Sequence, residues 1–173
     1  MNERAIRVGL VSDTHGLLRP EALAALADSD LIVHGGDIGD ASILARLATI
    51  APVTAVRGNN DHGAWAAALR DTEQLTIGGV RIFVIHDRNA LAVDAAATGI
   101  DVVVSGHSHR PAAERRDGVL YVNPGSAGPR RFRLPISVAR LTIDAARTDV
   151  ELVTLDVAAP KVESPARQPQ ELR

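Results

Sequence analysis

Residues 6–37 read IRVGLVSDTHGLLRPEALAALADSDLIVHGGD, and the succession of textures in them decides the fold. The apolar, β-branched run IRVGLV breaks at Ser12-Asp13, which predicts a strand ending at Asp13. Pro20 then opens PEALAALA, a proline at the position that the first helical turn tolerates, with helix formers behind it. LIVHGGD returns to a strand closing on Asp37. ASILARLATI repeats the helical texture, Pro52 lies just past its end, and VTAVRGN predicts a third strand closing at Asn59. Two consecutive βαβ units argue for parallel strands with helices on the sheet faces.

Beyond residue 60 the texture changes. LTIGGVRIFVIHD predicts a hairpin turning at Gly78-Gly79, its second arm ending at His86. LAVDAAATG reads as a helix leading into the strand DVVVSG, and Asp117-Gly118 marks a second hairpin between AERR and VLYVN. ISVARLTI and DVELVTLD predict two late strands, expected to build a second sheet. From Val157 the chain loses periodicity and gains Pro, Gln and charge. The expected organisation is one domain over 1–156 followed by a mobile tail over 157–173.

With 173 residues, 46% of them hydrophobic and 23% charged, the chain can bury a core of ordinary size. A formal net charge of −2 makes no electrostatic case for a nucleic-acid polymer or an anionic membrane. The absence of cysteine rules out disulfides, thiolate metal sites and a cysteine nucleophile. No apolar stretch approaches the roughly 18 residues of a membrane span, and the apolar start is too short for a signal-peptide core. The cytoplasm is therefore the expected compartment.

Polar residues fall where the strands end: Asp13 with His15, then Asp37, Asn59, His86, and finally His107 with His109. Singly, each passes for turn chemistry or a half-buried histidine. Jointly they are seven potential metal ligands at five strand ends, where open α/β sheets bind their ligands. In DVVVSGHSHRP, residues 101–111, His107 and His109 stand two apart, and an extended segment would point both side chains the same way. The donor set mixes oxygen and nitrogen without sulfur, which suits Mn²⁺, Fe, Zn²⁺ or Ni²⁺ better than Ca²⁺. Seven donors exceed the three or four of one catalytic zinc, whereas two metals sharing a carboxylate fit the count.

DTHG, GGD, GNND, a lone strand-end histidine and GHSH, in that order, resemble the calcineurin-like metallophosphoesterase superfamily. SDTHGLLRPEAL, VRGNND and NPGSAGPRR resemble its small YfcE-like bacterial and archaeal phosphodiesterase branch, over about Ile6 to Asp156. The resemblance implies a four-layer α/β/β/α sandwich of two mixed β-sheets flanked by helices. It also implies one divalent metal at Asp13, His15 and His109, and a second at Asn59, His86 and His107, with Asp37 bridging. Mn²⁺ is the expected ion. A hydroxide held between the metals would attack phosphorus in line, which makes Asp37, Asn59 and His107 catalytic positions. Asp61 joins them as a residue orienting a ligand or loop. The implied substrate is a small phosphodiester or phosphomonoester, and the exposed hairpin edges could pair copies into dimers or tetramers.

The chain departs from the superfamily at Asn60, where many members carry a histidine suited to protonating the leaving group; the YfcE-like branch also lacks it. Asn60 cannot act as an acid, which favours activated esters or another donor. HDRNAL after His86 replaces the usual glycine with Asp87, so specificity cannot be copied across. His34 reads as buried or supporting, His62 as an exposed loop histidine that could stand in as proton donor, and NPGS from Asn123 as a turn buttressing the metal loops. Arg130, Arg131 and Arg133 could meet a phosphate, but arginine is common throughout this chain, and Arg130 reads as a surface charge before a site residue. Arg115 and Arg116 flank a hairpin turn as solvated charges. Trp65 and Tyr121 are too few for a base-stacking platform. A non-catalytic scaffold like the retromer subunit of the same fold is the alternative, and there an eroded ligand set is expected.

Overall fold

The computed structural model describes residues 4–145 and 147–158. Its first sheet begins with the expected parallel run: β1 (Ile6–Val11), α1 (Pro20–Leu26), β2 (Leu31–His34), α2 (Ala41–Leu47) and β3 (Val53–Ala55). Pro20 sits in the first turn of α1, and the Asp40 carboxylate caps α2 by accepting the Ser42 N–H at 2.8 Å. After α3 (Ala64–Ala67) come β4 (Thr72–Ile77), β5 (Val80–Ile85), β6 (Val102–Val104), β7 (Ala112–Arg116) and β8 (Val119–Asn123). The chain closes with β9 (Ser137–Asp144) and β10 (Arg147–Thr154). The strand orders are β10-β9-β1-β2-β3 and β4-β5-β6-β8-β7, and both sheets are mixed.

Three apolar clusters separate the layers. Val8, Leu10 and Val33 of the first sheet meet Ile82, Val84, Val104 and Val122 of the second to form the inter-sheet core. Leu26 of α1 and Leu47 of α2 cover the other face of the first sheet, packing with Val11, Ile32 and Val138. The outer face of the second sheet carries Val103 and Val119 under Ala95 and Ile100. β1 and β2 are covered on both faces, which is why they read as unbroken apolar runs instead of alternating ones.

The structure corrects two expectations. The late strands do not found the second sheet: β9 pairs antiparallel with β1 in the first, Val8 opposite Leu141, and β10 continues outward from it. The βαβ run grows away from β1 on one side only, and β9 pairs the edge that this leaves open. The helix expected over LAVDAAATG is likewise not formed. A 3₁₀ turn at Arg88–Ala90 is followed by hydrogen-bonded turns in which Asp94 accepts the Ala97 N–H, and only Ala95 and Ile100 are buried. A segment with so little to bury does not recover the cost of helix nucleation. Of the expected tail, residues 159–173 lie outside the described residues, while Val157 packs partly buried against the α1–α2 cluster. No helix of the described residues is long and apolar enough to cross a membrane.

Candidate metal centre

The seven candidate donors sit on the loops just past β1, β2, β3, β5 and β6, so four come from the first sheet and three from the second. Among the described residues, five of the eight non-glycine residues with left-handed backbone are these donors: Asp13 (φ 53°), His15 (45°), Asp37 (54°), His107 (67°) and His109 (58°). Backbone in this region costs on the order of 1 kcal/mol or more per residue and persists where the surroundings over-determine it, which happens above all at functional sites. The extended geometry expected for GHSH is therefore not what brings its histidines in. Two left-handed residues flank Ser108 and send the rings to different neighbours. His109 stacks on His15 and His107 meets His86 edge-on, each pair with ring centroids 5.2 Å apart.

Around Asp13 the donors converge tightly. Its Oδ2 accepts from Ser12 Oγ (2.8 Å) and from the His107 N–H (3.1 Å). Its Oδ1 lies 3.3 Å from His109 Nε2 and 3.9 Å from His15 Nε2, buried and without a hydrogen-bond partner. The two Nε2 atoms are themselves 3.3 Å apart. Burial raises the Asp13 carboxyl to about 6 and pushes His109 down to about 4, the Arg131 charge adding to the latter. Burial also lowers His15. An orphaned carboxylate oxygen facing two imidazoles that resist protonation is the environment a divalent cation resolves, so the residues fit a metal.

Asp37 lies between this group and the other. Its Oδ2 is 3.7 Å from His15 Nε2 and 3.4 Å from His86 Nε2. Burial would raise its pKa, but hydrogen bonds from His86 and from both Asn60 nitrogens (2.8 and 2.7 Å) hold the carboxyl well below the usual range. The His86 ring bonds the Gly35 carbonyl through Nδ1 (2.7 Å), which leaves Nε2 facing Asp37 and, at 3.1 Å, Asn59 Oδ1. Burial works to lower His86, but the bonds to Asp37 and Gly35 outweigh it and raise its pKa. His107 Nδ1 is 3.1 Å from the same Asn59 oxygen. Asp13–His15–His109 and Asp13–Asp37–His86 each gather their donor atoms within 4.8 Å. Asn59 and His107 border the second group.

The surrounding residues hold these loops. Asp61 is not among the converging donors: one oxygen accepts the Ile38 and Gly39 N–H groups and the other the Gly58 N–H, all at 2.8 Å. Asn123 donates to the Gly106 carbonyl (2.7 Å) and Ser126 Oγ to the Asp13 carbonyl (2.9 Å), the buttressing expected of NPGS. Sequence reasoning missed the grip of Ser12 on Asp13 and of Asn60 on Asp37. The signal for both was a polar neighbour beside each aspartate or its partner loop. His62 and Asp87 line the cleft beside Asn59, His86 and His107. Arg130 turns away and donates to the Val157 carbonyl.

His34 is wholly buried and supports the loops without joining the donors. Its Nδ1 accepts the Gly36 N–H (3.2 Å), so Nε2 carries the proton toward Thr14 Oγ1 (2.9 Å), which donates on to the Ile38 carbonyl (2.9 Å). Burial depresses its pKa to about 3. The unfolded chain, with histidine near 6.5, binds the proton first as pH falls. His34 therefore gives its full stability above about pH 6.5 and loses it progressively toward about pH 3. The stability difference between wild type and His34→Gln, from urea unfolding, is expected to shrink by about 2 kcal/mol between pH 7 and pH 5. A pH-independent difference would show that His34 titrates in the fold as it does in the unfolded chain.

Comparison with known proteins places this chain in a family. The model of the calcineurin-like phosphoesterase superfamily domain matches residues 6–146. A probable metallophosphoesterase from Methanothermobacter thermautotrophicus is 35% identical over 158 residues, covering 84% of this chain and 91% of that protein. Two solved structures share the fold. One is an archaeal phosphodiesterase, at 22% identity and TM-score 0.72, covering 86% of this chain and 100% of its own. The other is a zinc complex of Vps29 from Entamoeba histolytica, at 23% identity and TM-score 0.71, covering 84% and 90%.

Proposed function

Because this chain belongs to the calcineurin-like phosphoesterase superfamily, we propose that it is a phosphodiesterase whose seven strand-end donors hold two divalent transition-metal ions, Mn²⁺ first among them. The observation that carries this reading is the unpartnered Asp13 Oδ1 between two imidazoles, with Asp37 reaching toward His15 on one side and His86 on the other. Asp13, His15 and His109 would form one set and Asn59, His86 and His107 the other, with Asp37 shared. When bound, such ions supply Lewis acidity, lowering the pKa of a water toward neutrality and neutralising charge on the phosphoryl oxygens.

The chain's own residues prepare the site for that chemistry. Hydrogen bonds hold the Asp37 carboxyl well below its usual range, and Asn60 fixes its orientation. Asp61 ties the loops after β2 and β3 together, so Asp37 and Asn59 keep a common frame. A cleft of 750 Å³ opens beside Asn59, His86 and His107 and accepts one arm of a small ester. Asn60 is spent on Asp37 and carries no acidic proton, so turnover should favour esters with good leaving groups.

Chelator-stripped protein should hydrolyse bis-p-nitrophenyl phosphate only when Mn²⁺ is restored. Folded protein that stays inactive with Mn²⁺, Ni²⁺, Zn²⁺ and Fe²⁺ in turn would favour a non-catalytic binding module on the same fold.

A further inference from the structure

The 750 Å³ cleft beside Asn59, His86 and His107 is walled by the loop after β3, by α3 and by the turn after β5. Ala66, Ala67, Ile85 and Ala90 give it methyl-lined stretches, and its formal charges are three carboxylates against one guanidinium. Two of the carboxylates are engaged. Asp71 Oδ1 accepts from both Nε (3.1 Å) and Nη2 (2.6 Å) of Arg57, which occupies the guanidinium as well. Asp61 is filled by the Ile38, Gly39 and Gly58 N–H groups.

Asp87 is the third. Its Oδ1 accepts the Asn89 N–H at 2.9 Å and caps the 3₁₀ turn Arg88–Ala90, which fixes the carboxylate against the chain. Its Oδ2 stands 3.9 Å from His107 Nε2, and no hydrogen bond reaches that oxygen among the described residues. The neighbouring cations do not neutralise it. Arg88 bonds Glu114 at 2.7 Å and lies over the Tyr121 ring, 4.2 Å from its centroid. Arg110 shares a second cavity, of 310 Å³, with Asp87 and His107 but forms no ion pair with the carboxylate. Asp87 and His107 line both cavities, so an unpartnered carboxylate oxygen stands on the rim between them, beside a candidate metal donor.

We propose that Asp87 is a specificity-determining residue, its carboxylate selecting phosphodiesters whose cleft-bound arm carries a cation, with esters of amino alcohols as the substrate class. The assignment rests on the phosphodiesterase reading above and adds to it the chemistry of the bound arm. A carboxylate oxygen without a partner attracts a cation and repels an anion, so it discriminates between arms of equal shape. The methyl-lined walls suit the alkyl groups of a substituted ammonium. The Asp87 side chain is 37% exposed, so solvent and salt screen the attraction and keep the preference moderate.

The test compares two esters of one shape, p-nitrophenyl phosphocholine and neohexyl p-nitrophenyl phosphate, in which carbon replaces the charged nitrogen. With Mn²⁺-loaded wild type, kcat/KM should favour the choline ester by about 5-fold, and the preference should fade at high salt. Asp87→Asn keeps an oxygen to cap the turn and removes only the charge, so it should turn over both esters alike, while Asp87→Glu should retain part of the preference. Both esters are read on one preparation, so partial loss of metal or fold cancels from the ratio. A role of Asp87 confined to positioning His107 would lower both rates together and leave the ratio at its wild-type value. Calorimetric titration with the product pair, phosphocholine and neohexyl phosphate, reads the same preference without turnover. An equal response to both members of the pair in wild type, or a preference that survives Asp87→Asn, overturns the assignment. Absence of turnover with both esters refutes the hydrolase reading instead, and the titration then decides Asp87.

Discussion

Asp37→Asn is expected to lower kcat/KM for bis-p-nitrophenyl phosphate by on the order of 10³-fold and to leave less than the full complement of metal on the purified protein. The substitution keeps the shape of the side chain and removes only its charge. Asp37 is 2% exposed; its Oδ1 accepts the Asn60 backbone N–H, and its Oδ2 accepts the Asn60 side-chain amide and faces His86 and His15. An amide there must turn its NH₂ either toward the Asn60 backbone N–H or toward the Asn60 side-chain amide and the imidazoles, so one set of contacts becomes repulsive. Metal content by mass spectrometry and kcat/KM on the same preparation check the claim. A variant that retains both would remove Asp37 from the shared position between the two donor groups.

The second large effect needs no charge at all. Gly58→Ala would place a Cβ 2.1 Å from both the backbone nitrogen and Oδ1 of Asp37. The obstacle is backbone and a pinned carboxylate, since Asn60 N–H already holds that oxygen. Asp37 must therefore move, and if it holds the proposed metals, a displacement of about 1 Å costs on the order of 10²-fold in rate. Overpacking of this kind also costs about 1–3 kcal/mol of stability. Kinetics alongside a urea midpoint separate the two, and wild-type turnover in this variant would mean that the β2 and β3 loops are not mutually locked.

Much of the fold was legible because its signals are local. IRVGLV and LIVH are apolar on both faces, Pro20 marks a helix start, and Gly78-Gly79 and Asp117-Gly118 mark hairpins found where expected. Sheet membership was not legible for β9 and β10. Their periodicity suits either sheet, and only the unpaired edge of β1 chooses between them. The helix expected at LAVDAAATG shows the opposite limit: alanine-rich propensity without a face to bury does not make a helix. For the candidate site, the donor types and their order could be read from strand ends. Their grouping could not, because it depends on left-handed turns at residues such as His107 and His109 that no alternation rule anticipates. The contact of Arg130 with the Val157 carbonyl was equally hidden, since its partner lies far along the chain.

The handedness of the backbone at Asp13, His15, Asp37, His107 and His109 also restricts the alphabet available there. Apart from glycine, the residues that enter left-handed backbone most readily are asparagine, aspartate and histidine. Two of these three are what a mixed oxygen–nitrogen metal site requires. Conformation thus narrows each of the five positions to a few letters before coordination chemistry selects among them. A β-branched residue would be excluded there even if no ion ever bound.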